Sequence, residues 1–149
     1  MKVAYADLPG MAGKEIGVSS WVKLDQSKVN QFADVTGDHQ WIHIDVERAK
    51  REMAGGGTIV HGYFVLSMIP KFMFELIQIT GVSQMINYGA NKVRFTNMVP
   101  TGSNVRGRLK VASVEAKGKG ITMNYEMVIE IEGQERPACV AEVIMMAFP

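Results

Sequence analysis

The chain has 149 residues, the size of one ordinary domain and short for two. Sixteen basic and fifteen acidic side chains leave a net charge of +1, so bulk electrostatics point to no nucleic acid and no anionic membrane surface. The N-terminal MKVAYADLPGMAGKEIG lacks a basic stretch followed by an apolar core, and the lone Cys139 has no internal disulfide partner; neither a secretory signal nor an oxidising compartment is expected, which leaves the cytoplasm.

In chain order, residues 19–24 read as a short strand. A helix is expected over 26–36, with Asp25 as N-cap, Val29, Phe32 and Ala33 on one face, and Gly37 as the stop. After the stretch 37–43, Asp45 can cap a further helix over 46–51. Gly55-Gly56-Gly57 is a local loop rather than a domain boundary. Over 63–79 the polar residues Ser67, Lys71, Glu75 and Gln78 recur at steps of four, four and three, one narrow stripe on a helix that is otherwise apolar. Such a helix must be enclosed on most sides, and Pro70 must bend or break it. The same polar residues, with His61, argue against a membrane span over 59–79.

Beyond it, 87–95 is a strand candidate, and 105–114 places Val105, Leu109 and Val111 opposite Arg106, Arg108 and Lys110. Lys117-Gly118-Lys119-Gly120 turns that run into 121–131, where Ile121, Met123, Tyr125, Met127, Ile129 and Ile131 alternate with polar residues in a half-exposed strand. The nearly continuous apolar run 138–148 reads as a central strand covered on both faces, with Cys139 as a small core residue. The sum is an α+β fold in one domain over residues 1–149: about five mostly antiparallel strands curved around a long central helix.

The chemistry concentrates between the first two helices. Asp38 and His43 would point about 140° apart on a regular helix, so they converge only if the chain turns. A turn is favoured by Gly37 and by the new helix start at Asp45. A carboxylate and an imidazole facing one volume suit proton transfer near neutrality. The same spacing is met by an Asp38 that only closes a turn and a His43 that is structural. His39 reads as a surface residue. A metal site is the rival use of Asp38, His39 and His43, if the segment were helical; Gly37 argues against it.

Phe32-Ala33-Asp34-Val35-Thr36-Gly37-Asp38-His39-Gln40-Trp41-Ile42-His43, followed by Ala49, resembles the hydratase motif of the MaoC-like dehydratases, the (R)-specific enoyl-CoA hydratases of hotdog fold. Within that family it is most similar to the nodulation protein N-like branch. The likeness continues through Gly57-Thr58-Ile59-Val60-His61-Gly62, Asn87-Tyr88-Gly89-Ala90-Asn91-Lys92-Val93-Arg94-Phe95 and Pro137-Ala138-Cys139-Val140-Ala141-Glu142, covering nearly the whole chain. It implies a hotdog sheet around a central helix, a homodimer, and hydration of a trans-2-enoyl-CoA to the (R)-3-hydroxyacyl-CoA without metal or redox cofactor, coenzyme A being part of the substrate. Two positions depart from the pattern: Gln40-Trp41 stands where the commoner motif has Asn-Pro, and Pro70 where many relatives carry Ser.

Hydration needs a base for water, a donor for the α-carbon, and a stabiliser for the thioester oxygen. Asp38 and His43 supply the first two. The resemblance assigns the third to the Gly62 N–H, at the expected positive end of the long helix; the same glycine is also met where a helix end merely packs tightly. Further substrate contacts are expected from Gln40, Trp41 and His61 beside these groups, although His61 also suits a loop prop. The acyl tail is expected along the helix near Tyr63 or Phe64. Lys92, Arg94, Arg106 and Arg108, outward on strands, are the candidates for coenzyme A phosphates. Two other outcomes share the fold: a thioesterase, or a non-catalytic acyl-thioester-binding module.

Overall fold

The strictest alternation in the sequence becomes the middle of the sheet. In the computed structural model, which describes residues 1–149, a hairpin joins β6 (Asn104–Lys117) to β7 (Gly120–Ile131), and β8 (Cys139–Phe148) pairs with β7 on its other side. Ile121, Met123, Tyr125, Met127, Ile129 and Ile131 are all buried, while the residues between them face outward. On β8 the same alternation appears: Cys139, Ala141, Val143, Met145 and Ala147 are buried, but Val140 and Glu142 are exposed. The expectation that β8 is covered on both faces therefore fails in the single chain, because nothing in it packs on the outer face. Burial pushes the Cys139 thiol up to about 11, consistent with a core role.

The remaining strands enlarge the sheet beyond the five expected. β5 (Gln84–Phe95) pairs with β8, β2 (Glu15–Val18) and β3 (Val22–Lys23) both pair with β6, and all these pairings are antiparallel. The strand expected over 19–24 is split and displaced, because the Ser19 hydroxyl accepts from Gly107 N at 2.9 Å and takes a place in the ladder. A separate parallel pair joins β1 (Lys2–Ala4) to β4 (Gln78–Thr80).

The helices α1 (Gln26–Thr36) and α3 (Val46–Glu52) form where expected, capped by Asp25 and Asp45, and α2 (Trp41–Ile44) adds one turn between them. The long helix is broken. It consists of α4 (Gly62–Ser67) and α5 (Ile69–Leu76), and Pro70, lacking an N–H, occupies the first turn of α5. It also stops short of 79. Ile77 is extended, and Ile77-Gln78-Ile79-Thr80 has buried and exposed residues in strict alternation, a strand signal hidden under the helical stripe.

Val65, Ile69, Phe72 and Met73 of the broken helix belong to a single core cluster of 28 buried residues. Because α5 touches β2 and β6 while α4 touches β8, the sheet has to curve to reach both. Enclosure is one-sided, however: Tyr63 is 71% and Phe74 61% exposed. The sheet covers only the helix face turned toward it.

Candidate active site

A left-handed residue starts the turn that the sequence requires. Gly37, at φ 80°, ends α1 and returns its N–H to Ala33 O at 2.8 Å. Asp38 closes the next step, its Oδ1 accepting from Gln40 N at 3.3 Å. The one turn of α2 then swings His43 round. The polar atoms of Asp38, His43 and His61 come to lie within 4.8 Å of one another.

His43 is buried, and its Nδ1 lies 2.7 Å from Ile59 O. A carbonyl only accepts, so Nδ1 carries the proton and Nε2 keeps a free lone pair in the neutral ring. Burial holds its pKa below the ordinary histidine value; the bond to Ile59 opposes that shift, and the neighbouring His61 adds to it. His61 is 2% exposed and stacks on His43 with ring centres 3.8 Å apart. Its Nε2 donates to the Asp38 backbone oxygen at 3.0 Å, while its Nδ1 is buried without a partner. The prop thus touches both members of the pair. The Asp38 side chain itself is 52% exposed, so the partial burial expected of a tuned carboxylate is absent in the single chain.

A cavity of about 450 Å³ opens here, lined by His43, Ile59, Gly62, Val65, Phe95, Met98 and Arg136 among others. Gly62 is the first residue of α4, so its N–H has no acceptor within the helix. A Cβ at this position would stand 3.2 Å from the Phe95 ring, so both uses foreseen for the glycine are compatible with its surroundings. With only six residues in α4, the macrodipole argument weakens, and the individual N–H is what the site offers. A second, mostly apolar cavity of about 410 Å³ lies between α4–α5 and β5–β8, lined by Leu66, Ile69, Pro70, Met73, Ala90, Val143 and Met145 among others.

The other expected contacts disperse. His39 bonds Asp34 at 2.9 Å on the surface, which raises its pKa. Gln40 is exposed, and the Trp41 ring is covered by the Arg48 guanidinium at 4.1 Å. Phe64 stacks on Phe32 at 5.1 Å, and Tyr63 meets Phe95 edge-on at 6.0 Å. Arg106 and Arg108 both bond Glu130, at 2.7 and 2.8 Å, and Arg106 also lies over Trp21. Lys92 and Arg94 pair in register with outward-facing Glu142 and Val140. None of these four cations lines the cavity beside His43. The one that does is Arg136, on the loop before β8. Sequence reading missed it because a turn residue carries no periodicity.

A divalent metal is the rival occupant of this corner, since ligand atoms of Asp38, His43 and His61 lie within 4.8 Å of one another. With His39 turned to Asp34, the nitrogens near Asp38 belong to His43 and His61, whose rings are 22° from parallel. Lone pairs lie in the ring planes, so stacked imidazoles offer them side by side rather than toward one point.

Comparison with known proteins places the chain. The family model described as "MaoC like domain" matches residues 7–131. The chain is 47% identical over 145 residues to the 3-hydroxyacyl-thioester dehydratase Z of Mycobacterium tuberculosis (strain ATCC 25618 / H37Rv), covering 95% of this chain and 94% of that protein. It is 40% identical over 145 residues to nodulation protein N of Rhizobium leguminosarum bv. viciae, covering 96% and 90%. Among solved structures, the unliganded R-hydratase of Pseudomonas aeruginosa superposes with a TM-score of 0.74 at 20% identity over 92% of this chain and 81% of that one. The (R)-hydratase from A. caviae involved in PHA biosynthesis does so with 0.74 at 19%, over 93% and 96%. At those identities the structures speak for the fold alone, an α+β hotdog.

Proposed function

The chain belongs to the MaoC-like domain family, and from that premise we propose that it is a hydro-lyase that adds water to trans-2-enoyl-CoA thioesters to give (R)-3-hydroxyacyl-CoA, or runs the reverse dehydration. The observation that carries this reading is the meeting of two chain segments: the Asp38 carboxylate lies within 4.8 Å of the ligating ring nitrogens of His43 and His61, and His43, with its proton-free Nε2, lines one cavity with Gly62.

The arithmetic of the reaction suits these groups. Water adds its oxygen to the β-carbon and a proton to the α-carbon, consuming the C=C π bond with no net oxidation. Asp38 and neutral His43 hold and deprotonate the water, and the same pair returns the proton to the α-carbon, which leaves both as they began. The negative charge that builds on the thioester oxygen is met by the Gly62 N–H. No cofactor beyond the coenzyme A of the substrate enters this scheme. The second cavity, continuing along α4–α5, is the better seat for an acyl tail than the exposed Tyr63, and Arg136 is the cation best placed at the mouth for a thioester carrier. A homodimer belongs to the same proposal: Tyr63, Phe74 and Met98, each more than 60% exposed, need a cover that the single chain lacks.

The test is loss of the conjugated enone absorbance of a short enoyl-CoA, with free thiol followed in parallel. The parent is expected to hydrate without releasing thiol, and Asp38→Asn or His43→Ala to lower kcat by about 10²–10⁴-fold. Thiol release would make the protein a thioesterase. Equal activity of all three folded proteins would remove the pair from the mechanism.

A further inference from the structure

Building on that reading of His43 as the base, we propose that Gln26 is a positioning residue that sets the tautomer and aim of the His43 ring. Gln26 lies in the first turn of α1, remote in sequence from the two residues of the His43 corner that it holds, His43 and Thr58. Its Nε2 donates to the backbone oxygen of His43 at 2.8 Å and to Asn30 Oδ1 at 2.9 Å, while its Oε1 accepts from Thr58 Oγ1 at 2.6 Å. Thr58 is buried and immediately precedes Ile59, the residue whose carbonyl receives the His43 Nδ1–H. Ile59 N in turn donates to Ile42 O at 3.0 Å. One amide thus grips both jaws of the clamp on the imidazole: the main chain that carries the ring, and the neighbour of the acceptor that selects its tautomer.

The residue type matters as much as the place. An amide is the one neutral side chain group that presents two donors and an acceptor in a single plane. Glutamate would keep the volume and the bond from Thr58 but turn a lone pair toward the His43 carbonyl. Leucine would leave the Thr58 hydroxyl buried and unpaired. In either variant Ile59 O and His43 shift relative to each other, and the ring gains access to the tautomer protonated on Nε2. That tautomer has no lone pair left for the water. The rest of the cavity wall, Gly62, Val65, Phe95 and Arg136 among it, has no bond to Gln26, so the loss falls on kcat more than on KM.

The experiment reads the tautomer directly, from the ¹⁵N shifts of the His43 ring in histidine-labelled protein at pH 8, in the parent, Gln26→Glu, Gln26→Leu and Thr58→Val. The parent is expected to be protonated on Nδ1, and both Gln26 variants to move population toward Nε2. Thr58→Val, which keeps the amide, is expected to shift it less in the same direction. In enoyl-CoA hydration the Gln26 variants should lose about tenfold in kcat, with KM within about twofold. If folded Gln26→Glu and Thr58→Val keep the parent tautomer, kcat and KM and show only a lower Tm, Gln26 is structural and the proposal fails. Because the ring shifts need no turnover, a tautomer change in a protein that never hydrates enoyl-CoA would uphold the clamp while removing the hydratase reading.

Discussion

Buried β7 and the buried corner around His43 are built by opposite means. Along β7, six apolar side chains enter the core at a period of two, and the main-chain ladder on both sides satisfies the backbone. Around His43, segments from α1, α2 and the loop before α4 meet through side-chain hydrogen bonds: Gln26 to His43 O, His43 Nδ1 to Ile59 O, His61 Nε2 to Asp38 O. The first region leaves only the Thr122 hydroxyl without a partner and supplies stability. The second leaves Nε2 of His43, Oδ2 of Asp38 and the Gly62 N–H without a hydrogen-bond partner, and these are the groups to which the proposed hydration is assigned.

That contrast is broken most forcefully in the core. Phe72, fully buried on α5 against the sheet, is expected to cost about 3–5 kcal/mol when changed to Ala, measured by urea unfolding, while kcat per folded molecule stays close to the parent. A matching loss of kcat would mean that core and corner are not separable. At the site, Gly62→Ala and Gly62→Pro form a pair: both bring a Cβ up to Phe95, but only proline removes the N–H. Gly62→Pro should lie about 10²–10³-fold below Gly62→Ala in kcat. Equal activities would show that the glycine serves packing.

Acid should separate the regions next. The folded-state pKa of His43 lies below its ordinary 6.5, so on acidification the unfolded chain takes up the proton first. Its contribution to stability is therefore complete above about 6.5 and is lost as the pH falls through the lowered folded value. The acid limb of kcat/KM is expected below 6.5 for the same reason, and a limb at or above that value would contradict a buried neutral base. The smallest effect belongs to the outer face of the sheet. Glu130 is partly buried, which raises its pKa, but bonds and charge from Arg106 and Arg108 outweigh this and lower it. Since Arg106 remains as partner, Arg108→Ala should cost about 1 kcal/mol or less in thermal unfolding and nothing in kcat.

How far each region was legible follows from the same physics. The β6–β7 hairpin, α1 with its Asp25 cap and Gly37 stop, and α3 could be read locally, because periodicity and caps are properties of neighbouring residues. Strand β4 and the split between β2 and β3 could not, since each exists through a distant partner: β1 in one case, and Gly107 against Ser19 in the other. At the site, Asp38, His43 and Gly62 were nameable through motif and likeness. The supports were not: Gln26 was only a helix residue and Arg136 only a turn residue until the chain folded.

By itself, then, the sequence determined the alternating strands, the capped helices, the break forced by Pro70 and the kinds of group available for proton transfer, all of which depend on the order of adjacent side chains. Only the tertiary structure decided which lone pair on His43 stays free, that His61 rather than His39 joins the pair, and which cation reaches the cavity. Those outcomes rest on hydrogen bonds and stacking between residues far apart in the chain, where a shift of one ångström changes the partner.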